Sequence, residues 1–380
     1  MIALLTSQAR ATEQAAPAPK HCAQPGPAVV AGSTMPASEE ILSPHLSELE
    51  RRLFEQIQDG RFGKFSLLAA GLIAGGADRD EEVHRYCQRF DAQVDALRRS
   101  GEVRGTPRER AQAVFTFLHH SILRGGYNLQ ASDLRQTFDH GRFNCVTASL
   151  LFNCLAQRFE LKAVGLEIPG HAMSRLKLPD ETLDIETTCP RWFTPVDRRS
   201  AANFPPAGKP APTENGTATA ELAEQSPARR ATQPRQSLRQ VSEVQLVATI
   251  YYNRGVDLLA EKRYAEAADA NAKAVRLDPQ NATAKGNFLA TINNWAIDLA
   301  TSGEYERAAE LFRLGLATDP SYDAFHANYV QLFRQWSERL CRSGRYDDAV
   351  RRLTQAANEQ PGEKFFREAA IDILRRWADK

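Results

Sequence analysis

Apolar positions recur at helical spacing over four early stretches, roughly 45–59, 64–75, 80–99 and 107–123. That spacing predicts four helices, punctuated at Gly60, Gly101 and Pro107. A further helical pattern starts at Cys145, with Val146, Leu150, Leu151, Cys154 and Leu155 along one side. The pattern then changes to alternation in three short runs, 161–168, 171–178 and 182–188, separated by Pro169-Gly170 and Pro179-Asp180. Such runs predict a small antiparallel meander. Helices ahead of a sheet, with one central helix packed on it, predict an α+β domain over 45–198. The most apolar window, 65–77, is shorter than the ~20 residues that span a bilayer. It predicts a buried helix.

A different order governs 242–380. Tyr264, Tyr305 and Tyr346 are 41 residues apart, as are Pro279, Pro320 and Pro361, and Ala267, Ala308 and Ala349. Trp295, Trp336 and Trp377 keep the same interval. Four marks in one phase make an internal repeat, which predicts an all-α solenoid. "SEVQ" at 242–245 reads as a capping box, so the first helix begins there. Apolar stripes extend through Ala284, Phe288, Ile292, Trp295 and Leu299, and through Phe325, Tyr329, Phe333, Trp336 and Leu340. The last helix carries Phe366, Ala370, Leu374 and Trp377 and is expected to close the stack. The tryptophans read as core or stacking residues.

Residues 1–44 and 199–241 are rich in Ala, Pro, Ser and Thr and lack periodicity. They predict a disordered N-terminal segment and a flexible linker between two folded parts. A formal net charge of +1 gives no global field toward nucleic acid or an anionic membrane. Six scattered cysteines without a C-x-x-C pair suggest neither a disulfide framework nor a zinc site. Reduced thiols and an N-terminus without a basic n-region point to a cytoplasmic protein. No P-loop, H-E-x-x-H or dinucleotide fingerprint is present, so no cofactor or metal is expected.

The remaining chemistry gathers around Cys145. At the start of a helix, unpaired backbone N–H groups and the macrodipole favour a thiolate. Cys154, on the buried side of the same helix, is expected to be inert. His171 opens the second strand, and Asp184 and Glu186 lie two apart on the third, on one face. If those strands pair, either acid can reach a ring nitrogen of His171. Plainer readings stand beside these. Cys145 can be a small buried filler, His171 a turn residue, and the acids the wet face of an edge strand. His140 is a rival base, while adjacent His119 and His120 point to different sides of a helix. Arg334, Arg339, Arg342, Arg345, Arg351 and Arg352 make either a solvated face or a site for an acidic peptide.

The lines "GRFNCVTASLLFNCLAQRF", "LEIPGHAMSRL" and "LDIETT" resemble the bacterial transglutaminase-like core domains, a branch of the papain-like cysteine superfamily. "FSLLAAGLIAGG" and "HSILRGGYNLQASDLRQTF" resemble the helical lead-in of the branch joined to tetratricopeptide repeats. The repeat marks resemble that second family at Gly255, Tyr264, Ala267, Ala274 and Pro279 and at their counterparts. The period of 41 exceeds the usual 34 by about two helical turns. That surplus implies a lengthened first helix in each unit. The resemblance implies a papain/transglutaminase-like α+β fold followed by a tetratricopeptide-type solenoid. It implies Cys145 as nucleophile and His171 as base. It implies an acid in "LDIETT", where acid-x-Thr selects Glu186 although Asp is the commoner residue. The activity would be acyl transfer or amide hydrolysis, with a protein or peptide partner on the concave face of the repeats. The alternative is a binding scaffold without catalysis.

Overall fold

Capping residues place the helices ahead of the sheet. The computed structural model describes residues 44–168, 170–193 and 238–379, which fall in one compact unit, Ala37–Lys380. Nearly all of the segment expected to be disordered, 1–44, and of the linker, 199–241, lies outside the described residues.

Helix α1 (Glu48–Glu55) opens with a reciprocal cap between Ser47 and Glu50. Every residue of α2 (Leu67–Ala74) is buried, as its unbroken apolar run requires. Among the described residues, no helix is long and apolar enough to cross a membrane. Helix α3 (Asp80–Ser100) ends at Gly101 in the left-handed region. Helix α4 (Pro107–Phe117) starts with proline in its first turn and runs into a π-helical turn, Leu118–Ile122. A short helix, α5 (Leu134–His140), was not evident from periodicity. Helix α6 (Cys145–Arg158) is buried along most of its length and forms the centre of this part.

Strands β1 (Lys162–Ile168), β2 (His171–Lys177) and β3 (Thr182–Ile185) form the expected antiparallel meander. A fourth strand, β4 (Arg239–Val241), completes the order β3-β2-β1-β4. It is formed by the last residues of the stretch expected to be linker. Its register sets Val241 opposite Gly165, where a Cβ would come within 2.6 Å of the valine side chain. Glycine therefore makes room for the added strand.

Seven helices follow among the described residues. They are α7 (Glu243–Ala260), α8 (Tyr264–Leu277), α9 (Ala282–Thr301), α10 (Tyr305–Thr318), α11 (Asp323–Arg342), α12 (Tyr346–Glu359) and α13 (Lys364–Ala378). Ser242 and Gln245 form the expected capping box. Helices α9 and α11 have 20 residues each, against 14 in α8, α10 and α12, so the surplus of the period lies in the long helices. Ala267, Ala308 and Ala349 are fully buried at the crossings. The tyrosine opening each short helix stacks on the next tryptophan, with ring centroids 6.4, 5.9 and 6.1 Å apart. The stripe of α13 departs from expectation. Phe366, Ala370 and Ile373 are buried, but Leu374 and Trp377 are 45% and 44% exposed, because no described helix packs beyond them.

The first helical pair shares its core with the α+β part. Val244, Val247, Ile250 and Tyr251 of α7 join Leu53, Phe54 and the residues of α2 and α6 in one apolar cluster. Within it, Glu50 of α1 receives Lys273 Nζ of α8 at 2.9 Å and the Tyr251 hydroxyl at 3.0 Å. Both charged groups are buried. Arg239 joins β4 to Glu167 of β1 at 2.6 Å and to Asp278 past α8 at 3.1 Å. The boundary at 242 thus falls inside a common core. Periodicity reveals which face of α7 is apolar, but not what that face packs on.

Candidate thiol site

Helix α6 presents Cys145 as its first residue, and Asn144 is the reason the helix starts there. The Asn144 Oδ1 accepts the N–H groups of Val146 and Thr147, both at 3.0 Å. Its Nδ2 donates to the Leu129 carbonyl at 3.2 Å and to Ser132 Oγ at 2.8 Å. This cap passes over the N–H of Cys145, which meets no protein acceptor among the described residues. Cys145 is 8% exposed. Cys154, nine residues on, is sealed in the core, and burial pushes its thiol well above the ordinary value.

The two candidate acids separate. Asp184 stands directly opposite Arg175 in the β2–β3 register and takes its guanidinium through two bonds, at 2.6 and 2.8 Å. Glu186 lies just past β3 and reaches the Nε2 of His171 at 2.6 Å. Its other oxygen accepts the Thr188 N–H at 3.0 Å and the Thr188 hydroxyl at 2.6 Å. The His171 and Glu186 side chains are 8% and 22% exposed. Burial alone would depress the His171 imidazole, but hydrogen bonds and charge from Cys145 and Glu186 push it up to about 10. Burial raises the Glu186 carboxyl, yet His171 and Thr188 outweigh this and hold it below the usual range. With Nε2 engaged by Glu186, Nδ1 is the ring nitrogen left for the sulfur.

A residue not singled out by its sequence lies beside the site. Tyr127 is 37% exposed. Burial, then charge and hydrogen bonding from Cys145, push its phenol upward. Its ring meets Phe143 edge-on at 6.0 Å, and its backbone bridges to Phe143, two residues before the thiol. The signal was the preceding glycine pair. A Cβ at Gly125 would lie 2.1 Å from the His140 carbonyl, so only glycine lets this loop reach the Cys145 entry.

His140 is exposed at the end of α5, and His120 is exposed while His119 is buried. Among the described residues no group of three or more His, Cys, Asp or Glu side chains is arranged to hold a metal ion. The surface arginines have partners. Arg345 and Arg351 pair with Asp348, Arg342 with Glu338 and Arg352 with Glu306. Arg334 and Arg339 lie over the rings of Phe365 and Tyr305. Chemically, the site offers a thiol at a helix N-terminus, a carboxylate-bound imidazole and an open backbone donor. No family model matches the chain, and no curated protein is significantly similar to it.

Proposed function

We propose that this chain is a cysteine-dependent acyl-transfer enzyme of the transglutaminase-like, papain-type class, located in the cytoplasm. In this reading tetratricopeptide-type repeats recruit a protein or peptide partner along their concave face. The observation that carries it is the 2.6 Å bond from Glu186 to His171, an imidazole that the charge of Cys145 also acts to hold protonated.

The chemistry follows from those atoms. With its proton on His171, the Cys145 sulfur attacks a carboxamide or peptide carbonyl carbon and forms the carbon–sulfur bond. The carbonyl oxygen takes up the electron pair and is received by the Cys145 N–H. His171 passes the proton to the departing nitrogen as the carbon–nitrogen bond breaks, leaving a thioester. Glu186 keeps Nε2 protonated and the ring oriented throughout. Water or an amine then gives a proton to His171, attacks the thioester and releases the thiol. Water makes a hydrolase, and an amine makes a transglutaminase.

The test is trapping. After brief incubation with p-nitrophenyl acetate, mass mapping should find the acetyl group on Cys145, and none there in His171→Ala. Loss of that acetyl group to water or to an added primary amine tells the two acceptors apart. An unmodified Cys145 in the wild-type protein would leave the binding scaffold as the function.

A further inference from the structure

We infer that Thr187, held by Ser149, is a positioning residue that sets Glu186 against His171. This rests on the thiol-enzyme reading above. Ser149 lies one helical turn after Cys145, so both lie on the same side of α6. Its hydroxyl meets the Thr187 hydroxyl at 2.8 Å. Ser174 of β2, the strand that begins with His171, donates to the Ser149 carbonyl at 3.3 Å. One turn of α6 therefore ties together the element bearing the thiol, the strand bearing the imidazole and the turn bearing the acid. Thr187 follows Glu186 directly and precedes Thr188, which donates twice to the Glu186 carboxylate. Fixing Thr187 fixes both.

His119 of the π-helical turn is buried close by. Its ring is packed against Phe115 at 4.7 Å, and the nearby Thr187 backbone partly offsets the effect of burial on it. Ser149, Ser174 and Thr187 are all fully buried. Three hydroxyls cost more to desolvate than alanine or valine in the same space. An element held by packing alone has no use for them, whereas directional bonds fix where a carboxylate points. The ionisable groups facing this turn are His171 and Cys145 toward Glu186, Tyr127 across the thiol, and His120 beside His119.

The experiment follows Cys145 alkylation by iodoacetamide against pH in the intact protein, mapped by mass. The wild type should show rapid labelling near neutral pH. Thr187→Val keeps shape but loses the hydroxyl, and it should slow that labelling roughly ten- to hundredfold and move the pH midpoint. Thr187→Ser should restore both, and Ser149→Ala should act like Thr187→Val if the valine variant does not fold. Gly315→Ala, which strains the distant repeats, should lower stability and leave the profile unmoved. Wild-type rate and midpoint in Thr187→Val, or a serine variant no better than valine, would overturn the inference alone. Slow Cys145 labelling in the wild type itself would overturn both the inference and the reading beneath it.

Discussion

Asn144 shows how a single side chain can set a site. Its amide fills two helix donors and two loop acceptors while leaving the Cys145 N–H open. Asn144→Ala should cost about 1–2 kcal/mol from the cap alone, read as a lower urea midpoint. The positions of Cys145 at a helix start and His171 at a strand start were legible because hydrophobic pattern and turn residues agree there. The residue pattern alone left Asp184 and Glu186 open on one face, and only the acid-x-Thr resemblance selected Glu186. Strand register separates the two, by placing Arg175 opposite Asp184. Glu186→Gln should therefore slow Cys145 alkylation, and Asp184→Asn should leave it near wild type. Tyr127 was missed because a loop aromatic carries no period. His171 titrates at about 10 when folded, above an unfolded value of about 6.5. It stabilises fully below about 6.5, and that contribution fades as pH rises toward 10. Cys145→Ala removes one of its two partners, so its imidazole NMR midpoint should fall.

Individual elements were legible where pattern and cap coincide, as in α1, α4, α7 and the meander. Strand β4 has three residues, too few to show alternation, and α5 has seven, fewer than two full periods of its pattern. The π-helical turn carries its own pH dependence. Burial lowers its His119 to about 4. The unfolded chain takes up this proton first, so stability should fall from about pH 6.5 down to about pH 4, by an amount of order 3 kcal/mol. Acid unfolding of His119→Gln should lack that component. Among the repeats, a Cβ at Gly315 would lie 2.3 Å from the Phe325 ring. Gly315→Ala should destabilise by about 1–3 kcal/mol, measured by urea unfolding.

At the scale of the molecule, the first helical pair completes the core behind the thiol helix. Breaking the buried Lys273–Glu50 pair by Lys273→Met leaves an uncompensated carboxylate, at a cost of about 3–5 kcal/mol. Because Glu50 lies in α1 and Lys273 in α8, that variant should unfold both regions together. Exposure of Cys154 to alkylation should coincide with loss of the far-ultraviolet helical signal. The repeat was readable because its marks recur in phase. The common core was not, because it joins faces far apart in sequence. All of this architecture converges on one thiol. The most direct measurement is competitive iodoacetamide labelling of the intact protein near neutral pH, with each cysteine mapped by mass. The account predicts Cys145 labelled far ahead of Cys154, with that lead lost in His171→Ala. Equal, sluggish labelling of both, or a lead that persists without His171, would contradict it.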